Sequence, residues 1–259
     1  MALLEVRHVS KRFGGLIAVD DVSFDVEEGK VVGLIGPNGA GKTTLFNLIS
    51  RIYDPDGGTI SFNGQDILKV PPHRVITMGI ARTFQNVEIF PALTVLENVL
   101  VAENWRLRIG VWESMLRPPW VAKREKEAVR RAQEVLDFLG LGQLATMPAG
   151  ALSFAIRKRL EIARALVAQP RLILLDEPAS GLNHEELMSL GETIRSLARQ
   201  HNITVLLVEH HMNLVMGVSD HVIVLNFGRK IAEGKPEEVS QNPAVIEAYL
   251  GERGDASPS

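Results

Sequence analysis

The run Gly36-Pro37-Asn38-Gly39-Ala40-Gly41-Lys42-Thr43 constrains this chain more than any other stretch. It satisfies G-x-x-x-x-G-K-[ST] at every fixed position. Val31-Val32-Gly33-Leu34-Ile35 precedes it without polar alternation, which predicts a parallel strand covered on both faces. A helix is expected from about Lys42 to Ser50. Strand, glycine loop and helix together make a phosphate cradle. The glycines let backbone N–H groups turn inward, Lys42 brings positive charge to β- and γ-phosphates, and the Thr43 hydroxyl can ligate Mg²⁺. The helix N-terminus adds its dipole. A tight turn with a coincidental lysine is the bland alternative, and the flanking pattern disfavours it.

Around this motif the chain reads as an α/β core with a helical interruption. The first thirty residues alternate (Leu4, Val6, His8, then Val22, Phe24, Val26) and predict short half-buried strands joined by turns. Asp54 to Gly58 is a turn, with a short strand from Thr59 to Asn63. From Asn86 to Ala151 helical spacing takes over, as in Val129, Ala132, Leu136 and Leu139, broken by Pro118-Pro119. The α/β rhythm then returns. Helices are expected over Arg157–Ala168 and Glu185–Gln200, and strands over Leu172–Leu175, Ile203–Val208 and Val222–Leu225. The expected segments are 1–85, 86–156, 157–235 and a C-terminal helix with a frayed tail over 236–259.

Composition sets limits. Of the 259 residues 46% are hydrophobic, enough apolar surface to exclude disorder over most of the chain. The absence of cysteine excludes disulfides and thiolate metal sites. With 28 basic and 31 acidic residues the net charge is −3, which argues against nucleic acid as a partner. No apolar run approaches the roughly 20 residues of a membrane-spanning helix, and the N-terminus lacks a signal-peptide pattern. A cytosolic protein is expected, held at the membrane if a membrane partner binds it.

Further chemistry sits at strand ends. Leu172 to Leu175 runs into Asp176 and Glu177, so Asp176 can support Mg²⁺ and Glu177 can polarise an attacking water. Ile203 to Val208 runs into Glu209-His210-His211, on the edge where ligands gather in open α/β sheets. His210 can hydrogen-bond a γ-phosphate. A metal site on the histidine pair is the weaker alternative, since neighbours on a strand face opposite ways. Gln85, at the entry to the helical stretch, offers an amide oxygen that can ligate Mg²⁺.

In this order the residues resemble an ATP-binding-cassette (ABC) transporter ATPase over nearly the whole chain: Gly36 to Thr44, Gln85, Leu152-Ser153, Asp176-Glu177 and His210. The resemblance implies a P-loop NTPase core of mainly parallel sheet flanked by helices. It adds an N-terminal antiparallel β subdomain and an inserted α-helical subdomain. It implies ATP and Mg²⁺ as cofactors. Phe13 would stack on adenine, and Gly36, Pro37, Asn38, Gly39, Ala40, Gly41, Lys42, Thr43 and Thr44 would hold the phosphates. Thr43, Gln85 and Asp176 would serve Mg²⁺, with Glu177 as general base and His210 as γ-phosphate switch. Two such chains, identical or different, would pair head to tail, Ser153 of one reaching the ATP of the other. More narrowly the chain looks like the ATPases of branched-chain amino-acid importers, through Arg82-Thr83-Phe84-Gln85, Arg159 to Arg164, Val208 to Met212 and Ala248 to Glu252. That implies membrane permease subunits, indirectly a solute-binding protein, and a peripheral place on the cytoplasmic face of the membrane. Urea or amide importers and lipopolysaccharide exporters look similar over these stretches.

Two departures and one oddity stand out. The family pattern L-S-G-G-Q reads Leu152-Ser153-Phe154-Ala155-Ile156, and Asn183 stands where Asp is usual. If Ala155 needs positive φ it is strained, which motivates an alternative: an ATP-gated clamp with weak hydrolysis beside an active partner. If it sits at a helix start it is comfortable. All three tryptophans, Trp105, Trp112 and Trp120, lie in one sixteen-residue stretch. Between Glu103 and Arg131 eight basic residues face four acidic ones. This segment is read as local core with a solvated face, or as a contact with permease loops or lipid headgroups.

Overall fold

The computed structural model describes residues 2–83, 89–107 and 118–254, with side chains to 103 in the second stretch and to 249 in the third. The chain divides into two compact units. Met1–Arg82 with Arg171–Ser259 form one, and Thr83–Pro170 form the other.

In the first unit, β1 (Ala2–Phe13) and β2 (Leu16–Glu27) form an antiparallel hairpin, extended by β4 (Gly57–Phe62) and β5 (Gln65–Asp66) in the order β2-β1-β4-β5. These strands are longer than the alternation predicts. Register shifts, as between Val6 and Val9, let the pairing continue, and His8 and Asp21 adopt positive φ opposite one another's strand. A bulge absorbs one residue of mismatch, so the inward face stays apolar on both sides of it.

The second sheet runs β10-β9-β3-β8-β7-β6. Its strands are β3 (Val31–Ile35), β6 (Ile80–Arg82), β7 (Leu172–Asp176), β8 (Thr204–Val208), β9 (His221–Asn226) and β10 (Arg229–Gly234). All pair parallel except the edge strand β10. Every residue of β3, β7 and β8 is buried, as unbroken apolar runs require. Helix α1 (Lys42–Ile49) lies between the two sheets' apolar faces. Phe46, Leu45 and Leu48 join Leu4, Val6, Val22, Phe62, Leu34 and Leu174 in one core. Each such side chain contributes about 1.5–3 kcal/mol by leaving water.

In the second unit, α2 (Val95–Leu107), α3 (Pro119–Phe138) and α4 (Phe154–Leu166) pack together. The buried stripe of α3 is Val121, Ala128, Ala132 and Leu136. Val129 is 42% exposed, a correction to the expected stripe: 128, 132 and 136 keep strict i, i+4 spacing and 129 falls beside it. Helix α4 starts at Phe154, not Arg157, because Ser153 caps it, so the expected division at 156/157 falls inside a continuous helix. The first unit is completed by α5 (His184–His201), α6 (Met212–Val218), α7 (Pro236–Ser240) and α8 (Pro243–Gly254).

Trp120 is 38% exposed, with the Arg124 guanidinium 5.0 Å from its ring centre. Several of the basic residues have acidic partners within the unit. Arg131 bonds the fully buried Glu103 at 2.6 Å, and Arg130 pairs with Glu127 and Glu134. The side chains of Trp105 and Trp112 lie outside the described residues.

Candidate active site

Strands β3, β8 and β7 are consecutive neighbours and parallel, so their C-terminal ends open on one edge. The phosphate loop leaves β3, His210 follows β8, and Asp176 and Glu177 end and follow β7.

The loop has the backbone its glycines imply. Gly36, Gly39 and Gly41 all have positive φ. A Cβ on Gly36 would collide with the Leu225 carbonyl oxygen, and one on Gly41 with that of Ala18. Both are therefore glycine for steric and conformational reasons together. Gly41 is the N-cap of α1, so Lys42 and Thr43 open the helix. Lys42 is buried, and its Nζ donates to the carbonyls of Gly36 (2.7 Å) and Pro37 (2.8 Å). This holds the ammonium across the mouth of the loop. Asn38, Gly39 and Thr43 are exposed, while Pro37 and Ala40 are buried.

Asp176 is buried at the end of β7 and is gripped by Arg82, whose Nη2 donates to Oδ2 at 2.7 Å. Glu177 turns out of the strand with φ 46°, and its N–H donates to the Val208 carbonyl at 2.9 Å. A non-glycine residue in this region costs of order 1–3 kcal/mol, which the surrounding bonds must offset. The turn brings the Glu177 carboxylate to 3.9 Å from His210 Nδ1. A carboxylate that can take a proton and an imidazole that can donate a hydrogen bond thus share the strand-end edge.

The histidine pair differs from expectation. Strand β8 ends at Val208, so the alternation of a strand no longer applies. The His210 and His211 rings lie side by side, centres 4.6 Å apart. Ligand atoms of Glu209, His210 and His211 come within 4.8 Å of one another. The Glu209 carboxylate, however, is fully buried and accepts from the N–H groups of Ala179 (2.6 Å), His210 (3.1 Å) and His211 (3.4 Å). It is a backbone anchor, and this role was missed from the sequence. The available signal was a carboxylate directly after a fully apolar strand.

Phe13, at the end of β1, is 41% exposed and meets Tyr53 edge-on at 5.2 Å. Asp56 steadies this corner: its carboxylate accepts from Lys11 Nζ (2.9 Å) and Arg12 N (2.6 Å). Those bonds, the Lys11 bond foremost, hold the Asp56 carboxyl below the ordinary carboxylate value.

The two departures have local explanations. Ser153 caps α4, its Oγ accepting from Ile156 N at 3.5 Å. Ala155 lies in the first helical turn and is not among the positive-φ residues. The strain that motivated a weakly hydrolysing clamp is therefore absent. Asn183 caps α5 in a reciprocal box, accepting from Glu186 N (3.0 Å) while its own N–H donates to Glu186 Oε2 (2.9 Å). Gln85, expected to ligate Mg²⁺, lies outside the described residues. The described donors fit a hard cation, for the Thr43 hydroxyl and Asp176 carboxylate both offer oxygen, the preferred ligand of Mg²⁺.

Similarity to known proteins runs along nearly the whole chain. The pattern of the family described as "ABC transporter" matches residues 19–180, and that of "Branched-chain amino acid ATP-binding cassette transporter" matches residues 229–255. The chain is 46% identical over 250 residues to the high-affinity branched-chain amino acid transport ATP-binding protein BraF of Pseudomonas aeruginosa. The match covers 96% of this chain and 98% of BraF. Among solved structures, the ADP conformation of an ATP-binding cassette of an ABC transporter superposes with TM-score 0.85 at 36% identity. That match covers 97% of this chain and 99% of the other. A dimeric post-hydrolysis cassette bound to ADP and Pi superposes with TM-score 0.75 at 25% identity, covering 90% and 98%.

Proposed function

Because the chain belongs to the ABC transporter family as one of its ATP-binding subunits, we propose that it powers uptake of branched-chain or related amino acids through a membrane permease. The chain is an ATPase. The single observation that carries its chemistry is the strand order β3-β8-β7, which puts the phosphate loop, His210 and the Asp176–Glu177 pair on one edge. The name of the Pseudomonas relative and the C-terminal match at 229–255 favour amino-acid uptake over urea, amide or lipopolysaccharide traffic.

In this reading Phe13 stacks on adenine, and Lys42 exchanges its loop carbonyls for β- and γ-phosphate oxygens. Residues Gly36 to Thr44 wrap the phosphates with backbone N–H groups. Thr43, Gln85 and Asp176 would hold Mg²⁺, which would supply positive charge beside the phosphate oxygens. Glu177 takes a proton from the water that attacks the γ-phosphorus, and ADP leaves. General-base help of this kind is worth about 10²–10⁴-fold. His210 hydrogen-bonds the γ-phosphate from the neighbouring strand end. Ser153 at the start of α4 serves the nucleotide of a second ABC ATPase subunit, identical or different, and the dimeric relative supports such pairing. No described helix is long and apolar enough to cross a membrane. In this reading permease subunits hold the chain at the cytoplasmic face. A solute-binding protein delivers the cargo to those subunits.

Reconstitution with the permease subunits and solute-binding protein in proteoliposomes tests the reading. ATP hydrolysis should rise with leucine, isoleucine or valine and vanish in Glu177→Gln. Hydrolysis indifferent to all three amino acids would refute the cargo assignment.

A further inference from the structure

Arg82 ends β6, the last residue before the inserted unit, and its side chain is only 9% exposed. Its guanidinium forms a fork of side-chain hydrogen bonds. Nη2 donates to Asp176 Oδ2 at 2.7 Å, and Nη1 donates to Asn47 Oδ1 at 2.7 Å and to Ser50 Oγ at 2.8 Å. Its carbon centre also lies 5.7 Å from the middle of the Phe46 ring. Asn47, Ser50 and Phe46 belong to α1 or its cap, the helix that Lys42 and Thr43 open. One planar fork therefore ties the Asp176 carboxylate to the helix bearing the phosphate-facing residues.

We propose that Arg82 is a positioning residue for the metal: by occupying Oδ2 of Asp176 it fixes the carboxylate's rotation and its height relative to Thr43. This rests on the reading of Asp176 as the carboxylate that supports Mg²⁺. The physical argument is the fork itself. A guanidinium offers donors in a rigid plane and satisfies Asp176, Asn47 and Ser50 at once, while a lysine ammonium is a point charge on a flexible stem. The carboxylate is nearly buried, so a partner that wanders is not replaced by water. Groups that orient a metal-supporting ligand typically alter metal affinity or activity about 10–100-fold when lost.

The test uses the full chain with Arg82→Lys and Arg82→Met. ADP affinity is measured in EDTA with a fluorescent ADP, Mn²⁺ affinity of the ADP-loaded protein by electron paramagnetic resonance, and half-saturating Mg²⁺ by ATP hydrolysis. ADP affinity in EDTA should stay unchanged, while Mn²⁺ affinity falls and half-saturating Mg²⁺ rises about 10–100-fold. Unchanged Mn²⁺ affinity with a lowered melting temperature would reduce Arg82 to a structural ion pair and overturn the proposal. If neither variant folds, Asn47→Ala with Ser50→Ala removes the helix anchors and leaves the Arg82–Asp176 pair. Weaker Mn²⁺ binding there supports the proposal, and unchanged binding overturns it. Wild-type hydrolysis that ignores EDTA would sink the reading of Asp176 itself, a result distinct from failure of the Arg82 variants alone.

Discussion

The Glu209 carboxylate accepts the Ala179 N–H at 2.6 Å, joining the end of β8 to the loop that follows Glu177. The same carboxylate holds the N–H groups of His210 and His211, so one buried side chain sets the backbone on both sides of the Glu177–His210 gap. Glu209→Ala leaves the buried Ala179 N–H without its acceptor and should cost about 1–3 kcal/mol of stability. It should also lower kcat with nucleotide affinity retained. Thermal melting and steady-state hydrolysis check both, and a full kcat in a destabilised protein would limit Glu209 to a folding role.

Lys42→Ala and Glu177→Gln should separate binding from chemistry. Removing the loop ammonium weakens nucleotide binding itself. Replacing the Glu177 carboxylate keeps its shape and removes its basicity, so ATP should bind and turnover should fall about 10²–10⁴-fold. The Glu177→Gln protein should then retain ATP and dimerise on gel filtration. Normal turnover in that variant would show that another group takes the proton.

Ala155→Gly should not speed hydrolysis. Ala155 sits in the first turn of α4 with helical backbone, where glycine only adds unfolded-state freedom. The expected loss is about 0.5–1 kcal/mol in melting, with turnover unchanged or slower. Faster turnover in the glycine variant, assayed with the partner ATPase, would mean that the alanine methyl crowds the partner's nucleotide.

Asp56→Asn tests the corner that carries Phe13. The folded Asp56 carboxyl titrates below its ordinary value of 3.8 because Lys11 and Arg12 bond the charged form. A group depressed in this direction stabilises the fold above its unfolded value and loses that contribution as pH falls through the lower folded value. The melting difference between wild type and Asp56→Asn should be full at neutral pH and close only below 3.8. A gap that persists after the carboxyl protonates would attribute the effect to shape and not to charge.

Read alone, the residues already dictated the strands β3, β7 and β8, the phosphate loop and its helix, and the helical insertion. Unbroken apolar runs have one stable home, between two covering layers, and Gly36 and Gly41 fill positions that no side chain can occupy. The caps Ser153 and Asn183 are equally local, yet the expected helix starts at Arg157 and Glu185 passed over them; each is settled by a bond within three residues. Tertiary structure alone decided the order β3-β8-β7, because parallel neighbours are joined by long crossovers and nothing local says which strands meet. It likewise decided the partners of the buried charges. Arg82 and Asp176 are 94 residues apart, and Glu209 meets Ala179 across 30. A buried charge must find a counterpart wherever the fold brings one, and sequence spacing carries no record of that meeting.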